Sequence, residues 1–299
     1  MSLNTTDVTT ALPSLLAEAG LPDRYDRQPI RVWARSGVER LTFDCGASVV
    51  LKYAETPFDT EDHTLIAAAG AGLPVPAVHA STHVGGLLVM LIEDLGEATR
   101  EAGIGDGARA AVQIHAITNL PGLPTVGQKH LSNLPANTAE ILTRYDAPDD
   151  AVAAAGALTA AAETRAKGTE LAPFGLVHSE FHHTSLHVTG RGLRILDLAR
   201  AFVGPGVLDL ASWSGTIDAP DVEDLWDLVD LYRAEGGAPE ASADRGGIDA
   251  ASWALGWHRV WVAEWFARQL DLGWAEGAED AWMNAITKHL LEAATLLKT

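Results

Sequence analysis

The chain carries a single cysteine, Cys45, among 299 residues. An intramolecular disulfide framework is therefore excluded, and a reducing, cytoplasmic setting is expected. Cys45 falls in the turn-like Asp44-Cys45-Gly46, with no histidine-and-base pattern around it that would mark a nucleophile. No apolar run approaches the roughly 18 residues that identify a membrane-crossing helix. The opening MSLNTTDVTT lacks the basic region and apolar core of a secretory signal. Bases are scarce: 21 Lys and Arg stand against 40 Asp and Glu, a net charge of −19. Such a charge argues against nucleic-acid backbones and anionic membranes as partners and favours a cationic small molecule or simply high solubility. There are no internal repeats and no low-complexity linker, so two lobes of one unit are expected rather than independent domains.

What is present suits a soluble globular protein: 47% hydrophobic and 20% charged residues, in a chain long enough for one large core or two. The most informative stretch is Leu176 to Asp197, LVHSEFHHTSLHVTGRGLRILD. Two short apolar runs, Ser185–Val188 and Leu193–Leu196, flank Thr189-Gly190-Arg191-Gly192 and predict a tight hairpin. A loop crowded with His178, Glu180, His182, His183 and Ser185 precedes it, and Asp197 follows. Three readings compete. One is a plain surface hairpin. Another is a zinc site using His178, His182, His183 and His187, but H-x-E-x-H is not the helical HEXXH spacing. The third is a kinase-type catalytic loop and metal loop, in which a carboxylate and an oxygen ligand precede a hairpin and an aspartate.

The third reading carries a family resemblance. HSEFHHTSLHV, LDLARA and GPGVLDLA resemble, at the same spacing, the HGDFHPGNLLV, I-D-W-E-x-A and G-D-P-x-x-D-L-A segments of the aminoglycoside phosphotransferase-like kinases. These are distant relatives of protein kinases and choline kinases. His178, Phe181, His182, Leu186, Val188, Asp197, Ala201, Gly204, Asp209, Leu210 and Ala211 match. Glu180 stands where the family has its catalytic Asp, and Ser185 where it has a metal-binding Asn.

The resemblance implies an α+β, two-lobed protein-kinase-like fold. Residues 1–95 would form a nucleotide-binding lobe with a small antiparallel sheet. Residues 96–299 would form a mainly helical catalytic and substrate-binding lobe. The pattern along the chain agrees. A helix is predicted over Val8–Ala19, strand–turn–strand over Ile30–Phe43, and a third strand over Ala47–Tyr53. A helix starting at Glu61 follows, then strands over Val75–Ser81 and Gly86–Ile92. Ser36-Gly37 would occupy the nucleotide loop. Lys52 would hold ATP or GTP phosphates, with Glu61 rather than Asp62 as its partner. Glu93 and Leu95 would offer hinge backbone to the base. Asp197 and Ser185 would hold Mg²⁺, Glu180 would orient the acceptor hydroxyl, and His178 would brace the loop with His182 as lesser polar support. Asp209 would order the segment after the metal loop.

Beyond Gly96 helices are predicted over Ala108–Ile117, Thr138–Arg144 and Asp149–Lys167, with a Pro- and Gly-rich loop at Asn119–Ala136. His115 is expected to be a buried structural histidine. Ten acids between Asp218 and Asp249 read as a solvated face. Trp253, Trp257, Trp261 and Trp265, four residues apart, read as a helical core stripe or, for one or two of them, a substrate floor. The expected activity is phosphoryl transfer to a hydroxyl of a cationic, antibiotic-like substrate, by a monomer or weak homodimer. The alternatives are a non-catalytic nucleotide- or ligand-binding relative and a metabolic sugar or amino-alcohol kinase.

Overall fold

The computed structural model describes residues 5–33 and 35–299. It falls into two compact units. The first comprises residues 1–102, 120–123 and 183–201, and the second residues 103–119, 124–182 and 202–299.

The first unit is built on a five-stranded antiparallel sheet in the order β1-β2-β3-β5-β4. Its strands are β1 (Tyr25–Val32), β2 (Ser36–Phe43), β3 (Ser48–Glu55), β4 (Val78–Val84) and β5 (Leu87–Glu93). Residues two apart on a strand share a face. Val49, Leu51 and Tyr53 of β3 therefore join Leu41 and Phe43 of β2 and Leu87, Val89 and Leu91 of β5 in one core. Helix α1 (Thr5–Glu18) closes that core with Val8, Leu12, Leu15 and Leu16. Lys52, between Leu51 and Tyr53, must face the other way. Helix α2 (Glu61–Gly70) supplies its partner there.

The β1–β2 hairpin differs from the expectation. Ser36-Gly37 belong to β2 rather than to a loop, because Trp33 N–H donates to the Ser36 carbonyl and the turn closes before them. Gly37 is opposite Tyr53, and a Cβ on Gly37 would stand 2.2 Å from that ring. Only glycine lets the two strands pair there. The turn between β4 and β5 is Gly85-Gly86, both at positive φ.

The first unit also holds the hairpin β7 (Leu186–Thr189) and β8 (Gly192–Ile195), with Leu186 opposite Ile195 and Thr189 opposite Gly192. The predicted two-residue turn is therefore Gly190-Arg191.

The second unit is mainly helical: α3 (Ile104–His115), α4 (Gln128–Leu142), α5 (Asp149–Arg165), α6 (Val207–Ser212), α7 (Val222–Ala234), α8 (Ala250–Asp271) and α9 (Glu279–Leu296). Strands β6 (Phe174–Val177) and β9 (Phe202–Pro205) pair within it. Helix α4 overturns part of the loop expected at Asn119–Ala136. It starts at Gln128 and includes Pro135, which is buried. Burial outweighs the one backbone hydrogen bond that a helical proline forfeits. On α8, Trp253 and Trp257 are fully buried, and both indole N–H groups donate to the Arg165 carbonyl. The structural reading of the stripe holds for these two, while Trp261 packs on Phe202 at 4.8 Å.

Candidate active site

In the first unit Lys52 Nζ lies 2.6 and 2.8 Å from the two carboxylate oxygens of Glu61, and 2.8 Å from Asp197 Oδ1. Glu61 is 1% exposed, whereas the Asp197 side chain is 49% exposed. Burial opposes the lysine's charge, but the carboxylates of Glu61 and Asp197 outweigh it and hold the ammonium above its ordinary pKa. Lys52 is therefore a fixed cation at neutral pH.

The neighbouring acid is equally buried but engaged elsewhere: Asp62 accepts from Ser81 Oγ of β4 at 2.7 Å. The two acids open α2, where the helix dipole favours negative charge. Glu61 points to β3 and Asp62 to β4, so Glu61 is the acid in contact with the lysine.

Asp197 adopts φ +63, a left-handed conformation that Asp tolerates better than most residues. The β7–β8 hairpin brings Ser185 back beside it: Leu196 N–H donates to the Ser185 carbonyl at 2.8 Å. Asp197 and Ser185 thus offer hard oxygen donors on adjoining backbone. That donor set fits Mg²⁺, which takes one or two protein oxygens and completes its octahedron with water and substrate phosphate. Among the described residues no group of three or more His, Cys, Asp or Glu side chains could hold a metal ion, so the zinc reading finds no ligand set there.

The end of β5 carries a feature that sequence reasoning missed. Glu93 and Leu95 flank Asp94, whose Oδ2 and Oδ1 accept from Arg40 Nε and Nη2 at 2.7 and 3.2 Å. Asp94 Oδ1 also accepts from Gly96 N–H at 2.9 Å. Burial would raise this carboxyl, but the hydrogen bonds from Arg40, Gly96 and Ser48 hold it below the usual carboxylate range. The segment after β5 is therefore pinned to β2 by side chains, not left as free backbone. Glu93 N–H is already committed to the Ala77 carbonyl. A second network supports the β1–β2 hairpin: Glu39 is paired with Arg27 and accepts from Tyr53 Oη at 2.7 Å.

In the second unit, Phe174–Val177 delivers the chain to His178, Ser179 and Glu180. His178 is fully buried, and its Nδ1 accepts from Glu180 N–H at 3.3 Å. Its imidazole thereby sits on the backbone of the loop that carries Glu180. Asp209, also fully buried, accepts from His178 N–H at 2.7 Å and Ser179 N–H at 2.9 Å. The sequence placed Asp209's influence on the segment after the metal loop. Its carboxylate instead holds the loop that carries Glu180. Ser179 is forced to φ +77 in the process. His115 is buried with Nε2 3.4 Å from Asp209, and its ring fills the space where a Cβ on Gly206 would stand. Phe181 packs on His178 and Trp213. Glu180 and His182 are half-buried.

A small antiparallel-sheet unit with a lysine–glutamate pair, and a mainly helical unit with a buried histidine–aspartate loop, define the protein-kinase-like phosphotransferases. The chain belongs to the phosphotransferase enzyme family, whose model matches residues 34–254. It is similar in fold to macrolide 2′-phosphotransferase MphH from Brachybacterium faecium, with 15% identity, a TM-score of 0.63 and coverage of 93% of this chain and 97% of that one. Choline kinase from Cryptosporidium parvum Iowa II gives 7% identity, a TM-score of 0.65 and coverage of 97% and 96%. An aminoglycoside-3′-phosphotransferase of type VIII gives 16%, 0.57, and 84% and 97%. No curated protein matches the chain by sequence.

Proposed function

We propose that this phosphotransferase, acting in the cytoplasm, moves the γ-phosphate of ATP or GTP to a hydroxyl of a small, cationic, antibiotic-like molecule and so confers resistance. The carrying observation is the contact of Lys52 with both Glu61 and Asp197. A buried carboxylate fixes the lysine on one side while an exposed one remains on the other. Residues 1–95 act as the nucleotide lobe and 96–299 as the catalytic lobe. Lys52 holds the phosphates that are not transferred, and Gly37 of β2 lets the strand backbone approach them. Glu93 and Leu95 present backbone to the base on the segment that Asp94 pins. Mg²⁺, held by Asp197 and Ser185, would supply charge neutralisation on the phosphates. Glu180 receives or orients the acceptor proton, on a loop held by His178 and Asp209, with His182 as polar support. Phosphoryl transfer asks the protein mainly for positioning and charge, which this set provides.

A second reading rests on the two departures in the loop, Glu180 for Asp and Ser185 for Asn: a protein that binds nucleotide without transferring phosphate. Nucleoside diphosphate release, measured over a panel of hydroxylated aminoglycoside, macrolide, peptide and nucleoside antibiotics together with choline and simple sugars, separates them. Diphosphate release coupled to a phosphorylated product by mass spectrometry supports transfer. Nucleotide binding with no product from any acceptor supports the binder. A product only from choline or a sugar moves the assignment to a metabolic kinase. Sedimentation of the purified chain tests the expected monomer or weak homodimer.

A further inference from the structure

In the sheet of the first unit, Lys52 of β3 stands opposite Met90 of β5, and Met90 stands opposite Ser81 of β4. Directly paired residues of neighbouring strands share a face. The three side chains therefore form one row on the face away from the α1 core, to which Ala80, Val89 and Leu91 belong. Neighbouring strands lie about 4.8 Å apart, so Lys52 and Ser81 are separated by about 10 Å across the row. The first two residues of α2 grip its two ends. Glu61 contacts Lys52 Nζ at 2.6 Å, and Asp62 accepts from Ser81 Oγ at 2.7 Å. Met90, between them, is fully buried, and both acids are buried as well. Successive residues of a helix point about 100° apart, so both contacts are met together at one rotation of α2 about its axis. Thr60, at the N-cap, forms no side-chain cap bond, so the helix start is not fixed from that end. Asp62 Oδ1 lies 3.1 Å from His63 Nδ1, but that imidazole is largely exposed and on the same helix, so it does not tie α2 to the sheet.

We propose that Asp62 is a positioning residue: through Ser81 it fixes the rotation of α2 and so holds Glu61 against Lys52. On the phosphotransferase reading, on which this role rests, the ammonium is thereby kept where it meets the non-transferred phosphates of the nucleotide. A carboxylate held by a hydroxyl of β4 cannot turn toward β3, which leaves the lysine to Glu61. Without that bond α2 is released at one end of the row, and Glu61 turns with it. Lys52 then follows its other carboxylate, Asp197, whose oxygen lies 2.8 Å away on a half-exposed side chain. A shift of about 1 Å in a positioned group costs on the order of 10²-fold in rate. The role asks of Ser81 only its hydroxyl, because a buried carboxylate that loses its donor stays unsatisfied.

Titration calorimetry of the full chain with ADP against adenosine, and with GDP against guanosine, all without Mg²⁺, separates the phosphate contact from the base contact and needs no acceptor. Ser81→Ala should weaken the diphosphate about tenfold and leave the nucleoside unchanged. A loss of folded protein would instead lower the number of binding sites for both alike. Ser81→Thr, which keeps the hydroxyl, should restore diphosphate affinity to within about threefold of the natural chain. Glu61→Gln should match Ser81→Ala, and adding Ser81→Ala to Glu61→Gln should weaken the diphosphate no further, because the hydroxyl acts through Glu61. If Ser81→Ala does not fold, Asp62→Ala takes its place in each comparison. An unchanged ratio of diphosphate to nucleoside affinity in Ser81→Ala, a threonine variant as weak as the alanine one, or additive losses in the double variant overturns the proposal. Lys52→Met separates the two readings. If it keeps the natural ratio, the phosphate role of Lys52 fails and the positioning role with it. If it loses that ratio while Ser81→Ala keeps it, the positioning role alone fails.

Discussion

Lys52 shows how burial assigns roles among similar groups. Glu61, almost fully buried, cannot release its cation without leaving an uncompensated charge, whereas Asp197 is half exposed and can exchange lysine for a metal. Asp197→Ala should therefore abolish turnover while metal-free nucleotide binding persists, as read by nucleotide titration with and without Mg²⁺; near-normal turnover would remove Asp197 from the mechanism. Glu180 carries one methylene more than the family's aspartate but keeps the carboxylate. Glu180→Gln should leave acceptor binding intact and lower kcat by roughly 10²–10⁴, the usual worth of acid–base assistance. An unchanged kcat, set against KM in the same assay, would make the carboxylate structural.

At the scale of elements, the loop before β7 is organised from α6. Asp209 satisfies two buried amides at once. Asp209→Ala leaves both amides without that acceptor. It should cost about 2–6 kcal/mol, at roughly 1–3 kcal/mol per buried unsatisfied group. The urea midpoint should fall, with faster hydrogen exchange at residues 178 and 179. Asp209→Asn, which retains one acceptor oxygen, should lose less. Equal midpoints for Asp209→Ala and the natural chain would mean that the loop is held by other contacts. The segment after β5 follows the same logic through Asp94 and Arg40, an ion pair 54 residues apart in sequence.

For the whole molecule, charge and pH are the levers. His289 is buried against Phe266, and burial, together with Arg259 and Lys288, pushes its pKa down to about 4 from 6.5, despite Glu292 at 3.7 Å. The ring is neutral when folded and gains a proton more readily when unfolded. Its contribution to stability is full above pH 6.5 and is lost as pH falls toward 4. The loss amounts to roughly 3–4 kcal/mol at most, since one pKa unit is about 1.4 kcal/mol. Thermal melts across this window should fall more steeply for the natural chain than for His289→Leu; parallel curves would contradict the assignment. The net charge of −19 should steer a cationic acceptor. For such an acceptor kcat/KM should drop as salt rises past the point where the Debye length is about 8 Å. Insensitivity to salt with a neutral acceptor would overturn the cationic assignment and leave phosphoryl transfer intact.

Much of this was legible in local pattern. The β7–β8 hairpin follows from Thr189-Gly190-Arg191-Gly192 between apolar runs. Lys52 stands out as the one charge within VVLK, and α2 announces itself by two acids before an apolar stretch. These are short-range signals: strand alternation, turn chemistry and helix-end charge act within a few residues. Pro135 misled for the same reason, because its local cost was visible and the burial that offsets it was not. Where Asp209 sends its two oxygens and how Arg40 reaches Asp94 were decided only by tertiary structure. Each joins groups dozens of residues apart. A carboxylate's partner is set by distance and desolvation in the folded chain, and neither is written in the spacing of the sequence.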